Sequence, residues 1–215
     1  MGYGYLRGQD HPAWIARLAV SEKARNRGVG GQLMSTMIDH CRSKGAEEAI
    51  LYVMQDNDPA VHLYRKYGFR VKSETCQYLA PAEWINDRAT AIEKPSVRAV
   101  PIDSIRESDR PDFPAEWAGV PGHHNPPHVY VFVYLDAEEK CRGFSSFSPT
   151  FPGCFPFVVE NPQTNAESAI ASLAPYLAPE KDPIRLTFSS AELAAACDAL
   201  GLKLNYTLYK MVLPL

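Results

Sequence analysis

One stretch determines how the rest of this 215-residue chain can be interpreted: Leu18-Ala-Val-Ser-Glu-Lys-Ala-Arg25-Asn-Arg-Gly28-Val-Gly30-Gly31-Gln-Leu33. An apolar run ends at Val20, a glycine-rich loop follows, and an amphipathic segment begins directly after the glycines. A glycine-dense loop between a strand and a helix brings backbone N–H groups close to an anion, at a helix end whose dipole favours negative charge. Arg25 and Arg27 add positive charge beside it. The loop therefore predicts a site for a phosphate-bearing ligand at residues 25–31.

The composition is that of an ordinary globular protein, with 46% apolar and 22% charged residues. The net charge of −3 argues against nucleic-acid binding as the main function. The charge is uneven, because residues 1–80 carry 11 Lys and Arg against 8 Asp and Glu, a net +3, which leaves −6 for the remainder. The basic part contains the glycine loop, as a polyanionic ligand would require.

The five cysteines are scattered and form no Cys-x-x-Cys pair, so the sequence predicts neither a disulfide framework nor a zinc site. No apolar run approaches the roughly 18 residues of a membrane-spanning helix, and residues 1–11 lack the apolar region of a signal peptide. We therefore expect a cytoplasmic protein that has no membrane partner, no nucleic-acid partner and no bound metal.

The first 80 residues alternate between strand and helix patterns. Strands are predicted at 3–7, 13–20, 49–54 and 69–79, and helices from the glycine loop to Lys44-Gly45 and from Pro59 to Gly68. The order strand–loop–helix–strand–helix–strand predicts an α/β fold.

After residue 80 the composition changes, since 16 of the 18 prolines lie from Pro81 onward. Further strands are predicted at 97–100, 129–135, 142–148, 156–160, 184–188 and 203–213. Asn165 is a candidate cap for one helix, which Pro175 ends or kinks, and Ser189-x-x-Glu192 is a capping box for another.

Two segments resemble each other across the chain. GFRVKSETCQYLAP, residues 68–81, and GLKLNYTLYKMVLP, residues 201–214, each run from a helix-ending glycine to a proline. Each also follows a strand–helix–strand–helix order, so we predict two related modules about 133 residues apart. The predicted division is a first module at 1–80, a linker at 81–95 that includes a helix, and a second module at 96–215.

Three anion-binding motifs compete for the glycine loop. A nucleotide P-loop requires Gly-Lys-Ser/Thr, and Gln32 follows Gly30-Gly31 here, which excludes it. A dinucleotide fingerprint requires a third glycine where Leu33 stands, although Asp56 after the next strand could serve as its ribose-binding acid. This second alternative stays open.

A third anion-binding motif matches the glycine loop, and a second motif of the same family matches a segment further along the chain. Arg25-x-x-Gly28-x-Gly30 resembles the pyrophosphate-loop motif of the GNAT acetyltransferases, Arg/Gln-x-x-Gly-x-Gly/Ala. The segment Asn57-Asp-Pro-Ala60-Val-His-Leu63-Tyr64-Arg-Lys-Tyr-Gly68-Phe69 resembles the second signature of that family. The resemblance covers residues 3–80, and the second module is similar only in its order of elements. It implies tandem GNAT-like α/β modules, each with a mixed, mainly antiparallel sheet flanked by helices.

The resemblance implies that acetyl-CoA binds with its pyrophosphate on the loop amides and its pantetheine arm between splayed strands 13–20 and 48–54. Glycine at 28 and 30 would let the backbone approach the phosphates without an intervening Cβ. An amine would attack the thioester, a backbone N–H near the end of strand 13–20 would polarise its oxygen, and Tyr64 would protonate the leaving thiolate. The implied coenzyme-binding residues are Leu18, Val20, Arg25, Asn26, Arg27, Gly28, Val29, Gly30, Gly31, Asn57, Ala60 and Tyr64.

Several of these residues have a purely structural alternative. Tyr64 lies on the apolar face of its predicted helix and could be a core residue, and Asn57 could be a helix cap as well as a coenzyme contact. The predicted strand before the loop contains no carboxylate to act as general base. Candidates are Asp10, Asp56 and the histidines of the segment 122–128, which we interpret as a polar loop rather than a metal site.

Compared with the family pattern, the first module lacks the elements that would precede residue 3, so we expect it to be N-terminally incomplete. The second module has Glu160-Asn-Pro-Gln-Thr-Asn-Ala-Glu167 at its loop position, with two acids and no glycine. It is therefore predicted not to bind acetyl-CoA and to act as a wall or a substrate platform.

The predicted function is transfer of an acetyl group to a small-molecule or peptide amine, with a homodimer as an open possibility. The alternative is a non-catalytic acyl-CoA-binding or assembly module.

Overall fold

The computed structural model describes residues 1–7, 13–106, 130–148, 153–177 and 182–215. These residues form two compact units, unit 1 with residues 1–75 and 206–215, and unit 2 with residues 76–205. The strands are β1 Gly2–Arg7, β2 Ala13–Val20, β3 Glu48–Met54, β4 Arg70–Ala80, β5 Arg98–Pro101, β6 Tyr130–Leu135, β7 Cys141–Ser148, β8 Gly153–Val159, β9 Ile184–Phe188 and β10 Lys203–Pro214. The α-helices are α1 Val29–Ser43, α2 Asp58–Lys66, α3 Ala82–Ala91, α4 Pro162–Ala171 and α5 Ala191–Ala199.

In unit 1, β1 pairs antiparallel with β2, β2 pairs parallel with β3, and β3 pairs antiparallel with the last residues of β10. Helix α1 packs closely on β1, because a Cβ added at Gly4 would lie 2.5 Å from the Sδ atom of Met37. The core of the unit consists of buried side chains of β2, α1, β3, α2 and β10, with Phe69: Ile15, Met34, Met37, Ile38, Ala49, Leu51, Val53, Val61, Tyr64, Phe69, Met211 and Leu213.

In unit 2, the last residues of β4 pair antiparallel with β9, and β9 pairs parallel with β8. Antiparallel pairs then link β8 to β7, β7 to β6 and β6 to β5. A core rich in aromatic residues joins these strands to α3, α4 and α5, and its fully buried members include Ile85, Phe132, Tyr134, Phe157 and Ile170. These strand pairings and packed helices confirm the predicted α/β class with a mixed, mainly antiparallel sheet.

The internal repeat predicted from the sequence is present in the structure. Helices α1 and α4 begin 133 residues apart, as do α2 and α5 and as do β4 and β10. The capping residues follow the same offset, since Gly28 and Asn161 both adopt a left-handed conformation, and Asn57 and Ser190 both accept a backbone N–H three residues ahead. Residues 29–80 and 162–214 thus contain copies of one helix–strand–helix–strand arrangement.

Two local features, the start of α4 and the start of β8, differ from the predictions. Helix α4 begins at Pro162, so the prediction of Asn165 as its cap is wrong. Proline suits the first helical position, and Asn165 lies one turn inside, where its Nδ2 donates to the carbonyl oxygen of Glu160 at 2.7 Å. The helix predicted within the linker is present as α3, and its Ile85 is fully buried in unit 2. Strand β8 begins at Gly153, three residues before its predicted start.

The compact units and the predicted modules are divided differently. Residues 206–215 lie in unit 1, although they follow the second helix–strand–helix set in sequence, and residues 76–95 lie in unit 2. The division into modules at 1–80 and 96–215 stays a prediction.

Among the described residues, no helix combines the length and the apolar character that crossing a membrane would require.

Candidate functional site

The glycine loop lies between β2 and α1 in unit 1. A short 3-10 helix, Glu22–Ala24, follows β2, and the loop then carries three exposed residues, Arg25, Asn26 and Arg27. The Nε atom of Arg25 donates to the carbonyl oxygen of Val20 at 3.3 Å, which ties the loop to the end of β2. Asn26 has a positive φ of 59°. The two arginines therefore keep positive charge in solvent beside the start of α1.

Gly28 caps α1 with a φ of 78°, a left-handed conformation that glycine adopts at little cost. The N–H groups of the first helical turn have no partner within a helix, and Gly28 has no side chain to satisfy them. A Cβ at Gly28 would meet no heavy atom within 4 Å, so the space beside it is open. This arrangement suits an approaching anion.

Gly30 and Gly31 differ in what surrounds them. A Cβ at Gly30 would be in ordinary contact, 3.4 Å from Leu63 Cδ2 and 3.7 Å from Val20 Cγ2. A Cβ at Gly31 would lie 2.9 Å from the Tyr67 hydroxyl, which donates to the carbonyl oxygen of Gly31 at 2.8 Å. Gly31 therefore has an internal packing reason to be glycine, whereas the protein itself would accept a methyl group at Gly30.

Strands β2 and β3 pair at only two positions, Ala13 with Ala49 and Trp14 with Ile50. Beyond these pairs β2 continues to Val20 and β3 continues to Met54, so the two strands diverge toward the end that carries the glycine loop. The half-buried residues Leu18 and Val20 lie on this diverging part of β2. The structure thus has the splayed pair of strands that the family resemblance implies.

A β-bulge interrupts the pairing of β1 with β2 near the start of this gap. The register runs from Tyr5 opposite Arg17 to Leu6 opposite Ile15, so Ala16 is the additional residue. A bulge leaves backbone groups outside the ladder and re-aims the strand. The polarising backbone N–H that the resemblance implies lies further along, near the end of β2.

Asn57 is the N-cap of α2. Its Oδ1 accepts the N–H of Ala60 at 3.3 Å, and its own N–H donates to the carbonyl oxygen of Met54 at 3.0 Å. The capping role expected from the sequence is therefore present, and the N–H of Ala60 is engaged by it. Asn57 is exposed in the turn that follows β3.

Tyr64 is buried in the core of unit 1. The residue is 8% exposed, and its ring meets that of Phe69 edge-on with centroids 6.2 Å apart. Its hydroxyl has no hydrogen-bond partner among the described residues. Burial raises the pKa of Tyr64, so the phenol stays protonated at neutral pH.

One of the candidate general bases, Asp56, lies within the described residues. Asp56 is exposed in the turn after β3, whereas Asp10 and the histidines of the segment 122–128 lie outside the described residues. Strand β2 contains no carboxylate. Within the described ranges, no group of three or more His, Cys, Asp or Glu side chains is arranged to hold a metal ion.

The position in unit 2 that corresponds to the glycine loop has different chemistry. Asn161 adopts the left-handed conformation of Gly28, but Pro162 then supplies no N–H. The N–H of Thr164 donates to the carbonyl oxygen of Asn161 at 2.9 Å. Glu160 adds a negative charge, 3.6 Å from Arg142. These features support the prediction that the second module does not bind acetyl-CoA.

The sequence analysis missed one contribution to this region, the segment of β10 that pairs with β3. Its Tyr209 hydroxyl accepts a hydrogen bond from Gln55 Nε2 at 2.9 Å, directly after β3. The repeated pattern of residues 201–214 was visible in the sequence as a strand. Its pairing partner was not, because a strand pattern does not identify its neighbour.

Comparisons with known proteins agree with the predicted family. A family model described as the acetyltransferase (GNAT) family matches residues 1–69. Residues of this chain are 38% identical over 79 positions to a mycothiol acetyltransferase of Corynebacterium aurimucosum, which is 35% of this chain and 26% of that protein. An uncharacterized N-acetyltransferase of Bacillus subtilis is 37% identical over 60 residues, 28% of this chain and 24% of that protein. The chain spans about a quarter of the length of these relatives.

Solved structures show the same fold over the whole chain. A putative acetyltransferase from Pyrococcus horikoshii superposes with a TM-score of 0.64 at 14% identity, covering 100% of this chain and 69% of that one. A GCN5-related N-acetyltransferase from Sphaerobacter thermophilus gives 0.60 at 10% identity, covering 99% and 76%. At these identities the likeness concerns the fold, and it extends to the second half of the chain as predicted.

Proposed function

Because residues 1–69 carry a GNAT acetyltransferase module, we propose that this protein transfers an acetyl group from acetyl-CoA to an amine. The relatives named as acetyltransferases support an acyltransferase activity. The observation that carries the proposal is the divergence of β2 and β3 after only two residue pairs, next to the glycine-capped start of α1. That combination offers a slot for an extended arm and an anion site at its end.

The residues of unit 1 fit the donor. The open space beside Gly28 and the first-turn N–H groups of α1 would receive the pyrophosphate, with Arg25 and Arg27 adding positive charge. Leu18 and Val20 would line the slot, and the free amide nitrogen of Asn57 would donate to the pantetheine arm. Acetyl-CoA, when bound, supplies the acetyl group as a reactive thioester.

Tyr64 is the proposed general acid. As the acceptor nitrogen bonds to the carbonyl carbon and the carbon–sulfur bond breaks, the Tyr64 hydroxyl gives its proton to the departing sulfur. The proton lost by the amine passes to solvent, and Tyr64 regains its own from solvent. The raised pKa of Tyr64 suits this role, because it keeps the phenol protonated before the reaction.

The acceptor is proposed to be a primary amine on a small molecule or a peptide. Several matched relatives are named mycothiol acetyltransferase, so the unacetylated form of mycothiol belongs in the test panel with amino acids, polyamines and peptide N-termini. We also propose a cytoplasmic location, which agrees with five free cysteine thiols. Cell fractionation tests that location, and sedimentation tests the predicted homodimer.

Two measurements test the proposed activity. Calorimetry measures binding of CoA, and thiol release measures turnover of acetyl-CoA with each amine. Binding followed by amine-dependent thiol release supports the transferase, whereas absence of CoA binding would refute the proposal as a whole.

A second candidate is a non-catalytic acyl-CoA-binding module, which the absence of a carboxylate from β2 favours. It predicts CoA binding without thiol release for any amine, and binding that is unchanged in Tyr64→Phe. The transferase predicts the same binding for Tyr64→Phe but a loss of turnover. The two candidates are therefore separated by turnover of the unmodified protein, with Tyr64→Phe as the matched variant.

A further inference from the structure

Strand β3 carries the turn that leads to Asn57 and Tyr64, and one of its edges is almost unpaired. Only Ala49 and Ile50 pair with β2, so the remainder of that edge faces the gap. The other edge is paired along its whole length with β10, from Leu208 opposite Met54 to Pro214 opposite Glu48. The position of β3 in unit 1 therefore depends chiefly on β10.

The same segment completes the core beneath the site. Met211 is fully buried and lies opposite Leu51 of β3. Leu213 is 8% exposed, and its Cδ1 would lie 3.1 Å from a Cβ at Gly68, where α2 ends. The helix that carries Tyr64 thus packs on side chains of β10 as well as on those of β3.

The segment also holds the turn between β3 and α2. The N–H of Gln55 donates to the carbonyl oxygen of Thr207 at 3.0 Å, and Gln55 Nε2 donates to the Tyr209 hydroxyl at 2.9 Å. Gln55 is two residues from Asn57, which caps α2. Two hydrogen bonds and a strand ladder therefore fix this turn to residues from the far end of the sequence.

We infer that Tyr206–Leu215 is an integral part of the coenzyme-binding unit and that its docking on β3 is coupled to coenzyme binding, with Tyr209 as a positioning residue. The inference rests on the proposed function for the identity of the ligand. A coenzyme that binds only when β3 and α2 are in place stabilises the docked segment. By reciprocity, a loss of docking lowers the affinity for the coenzyme.

Hydrogen exchange on the full chain tests the coupling. Saturating CoA is expected to slow amide exchange in residues 206–215 and in β3, and to leave β7 of unit 2 unchanged. Unaltered exchange in residues 206–215, with CoA binding verified by calorimetry, would overturn the inference.

Two matched core variants test the reverse direction. Met211 in unit 1 and Leu186 in unit 2 are both fully buried on paired strands, opposite Leu51 and Tyr78 respectively. Met211→Ala is expected to weaken CoA binding about tenfold or more, because the binding-competent fraction falls, whereas Leu186→Ala leaves it within about twofold. Equal affinities in the two variants would contradict the coupling.

Tyr209→Phe provides a milder variant, since it removes only the hydroxyl that accepts from Gln55. We expect the dissociation constant for CoA to rise about two- to tenfold with little change in Tm. In combination with Gln55→Leu the effects should not add, because both remove the same bond. Additive effects, or unchanged affinity in Tyr209→Phe, would refute the positioning role. If the unmodified protein fails to bind CoA, it is the proposed function that fails instead.

Discussion

Gly28→Ala and Gly45→Ala form a matched pair at the two ends of α1. The two glycines have φ values of 78° and 76°, and a Cβ at either would meet no heavy atom within 4 Å. Both substitutions therefore place an L-residue in a left-handed conformation, at about 1–2 kcal/mol, without a clash. A less flexible unfolded chain offsets about 0.4–1 kcal/mol of this. We expect each variant to lose about 0.5–1 kcal/mol of stability, which lowers the Tm by about 1–4 °C for a chain of this length.

Coenzyme binding should separate the two variants. The Cβ at Gly28 would enter the open space beside the first-turn N–H groups, where the pyrophosphate is proposed to bind. The loss of one charge-assisted hydrogen bond, about 1.5–3 kcal/mol, corresponds to an affinity about 10- to 150-fold lower. Gly45 lies past the opposite end of the 15-residue helix, about 22 Å away, and its substitution should leave the affinity unchanged.

Thermal unfolding and calorimetry with CoA measure both quantities on the same samples. Gly28→Asn serves as a further control, because asparagine tolerates the left-handed conformation, as Asn161 does with a φ of 48°. It should recover stability but not affinity. Equal dissociation constants for Gly28→Ala and Gly45→Ala would refute the assignment of the anion site to the start of α1.

Three further variants test other parts of the reasoning. Gly30→Ala should raise stability by up to about 1 kcal/mol, because alanine favours helix and its Cβ finds only ordinary contacts, yet it should weaken CoA binding measured by calorimetry. Tyr64→Phe should lower kcat about 100-fold with unchanged CoA affinity. Since burial raises the pKa of Tyr64, the Tyr64-dependent loss of activity at alkaline pH should begin only above the ordinary phenol range, and a Tyr64-dependent loss near pH 8 would contradict this. In unit 2, the N–H of Lys140 and the side chain of Arg142 lower the pKa of Asp136, so its stabilisation is present at neutral pH and is lost as pH falls through the lowered value. Asp136→Asn should therefore lower the Tm at pH 7 and have less effect near pH 3.

Local signals in the sequence predicted the first helices well. The helical spacing of five apolar residues predicted the inner face of α1: Leu33, Met34, Met37, Ile38 and Cys41. The last four are buried and Leu33 is half-buried. Asn57 was identified as a candidate cap of α2 because its side chain can satisfy a first-turn N–H, and it does so. The same logic failed at α4, where Asn165 was chosen as the cap although Pro162 is better suited to the first turn.

Strand partners could not be predicted in the same way. Consecutive strands are neighbours in roughly two thirds of cases, which favours pairing β10 with elements close to it in sequence. The apolar alternation of β10 states only which side chains are buried, and Met211 and Leu213 would show it beside any neighbour. The divergence of β2 and β3 is a property of the backbone, so it followed from the family resemblance and not from residue types.

The internal repeat separates what the fold supplies from what the site requires. Gly28 and Asn161 occupy equivalent positions and have the same left-handed backbone, so the turn into the helix does not depend on binding a coenzyme. The next residue differs, since Val29 has an N–H and Pro162 has none. Cys197 occupies the position in the second copy that Tyr64 occupies in the first. Its side chain is fully buried, and this burial raises the pKa of the thiol to about 12.

Each of these two differences removes a group that would bind or act on acetyl-CoA, while the surrounding helices and strands remain. The N–H that could bind a phosphate is absent at Pro162, and the hydroxyl of Tyr64 is replaced at Cys197 by a thiol without access to solvent. Restoring one of them in unit 2 should therefore not create a second coenzyme site. The splayed strands and left-handed turn form the frame, and function depends on the few side chains and free amides within it. A stoichiometry of one CoA per chain in calorimetry is the expected result, and two would contradict this reasoning.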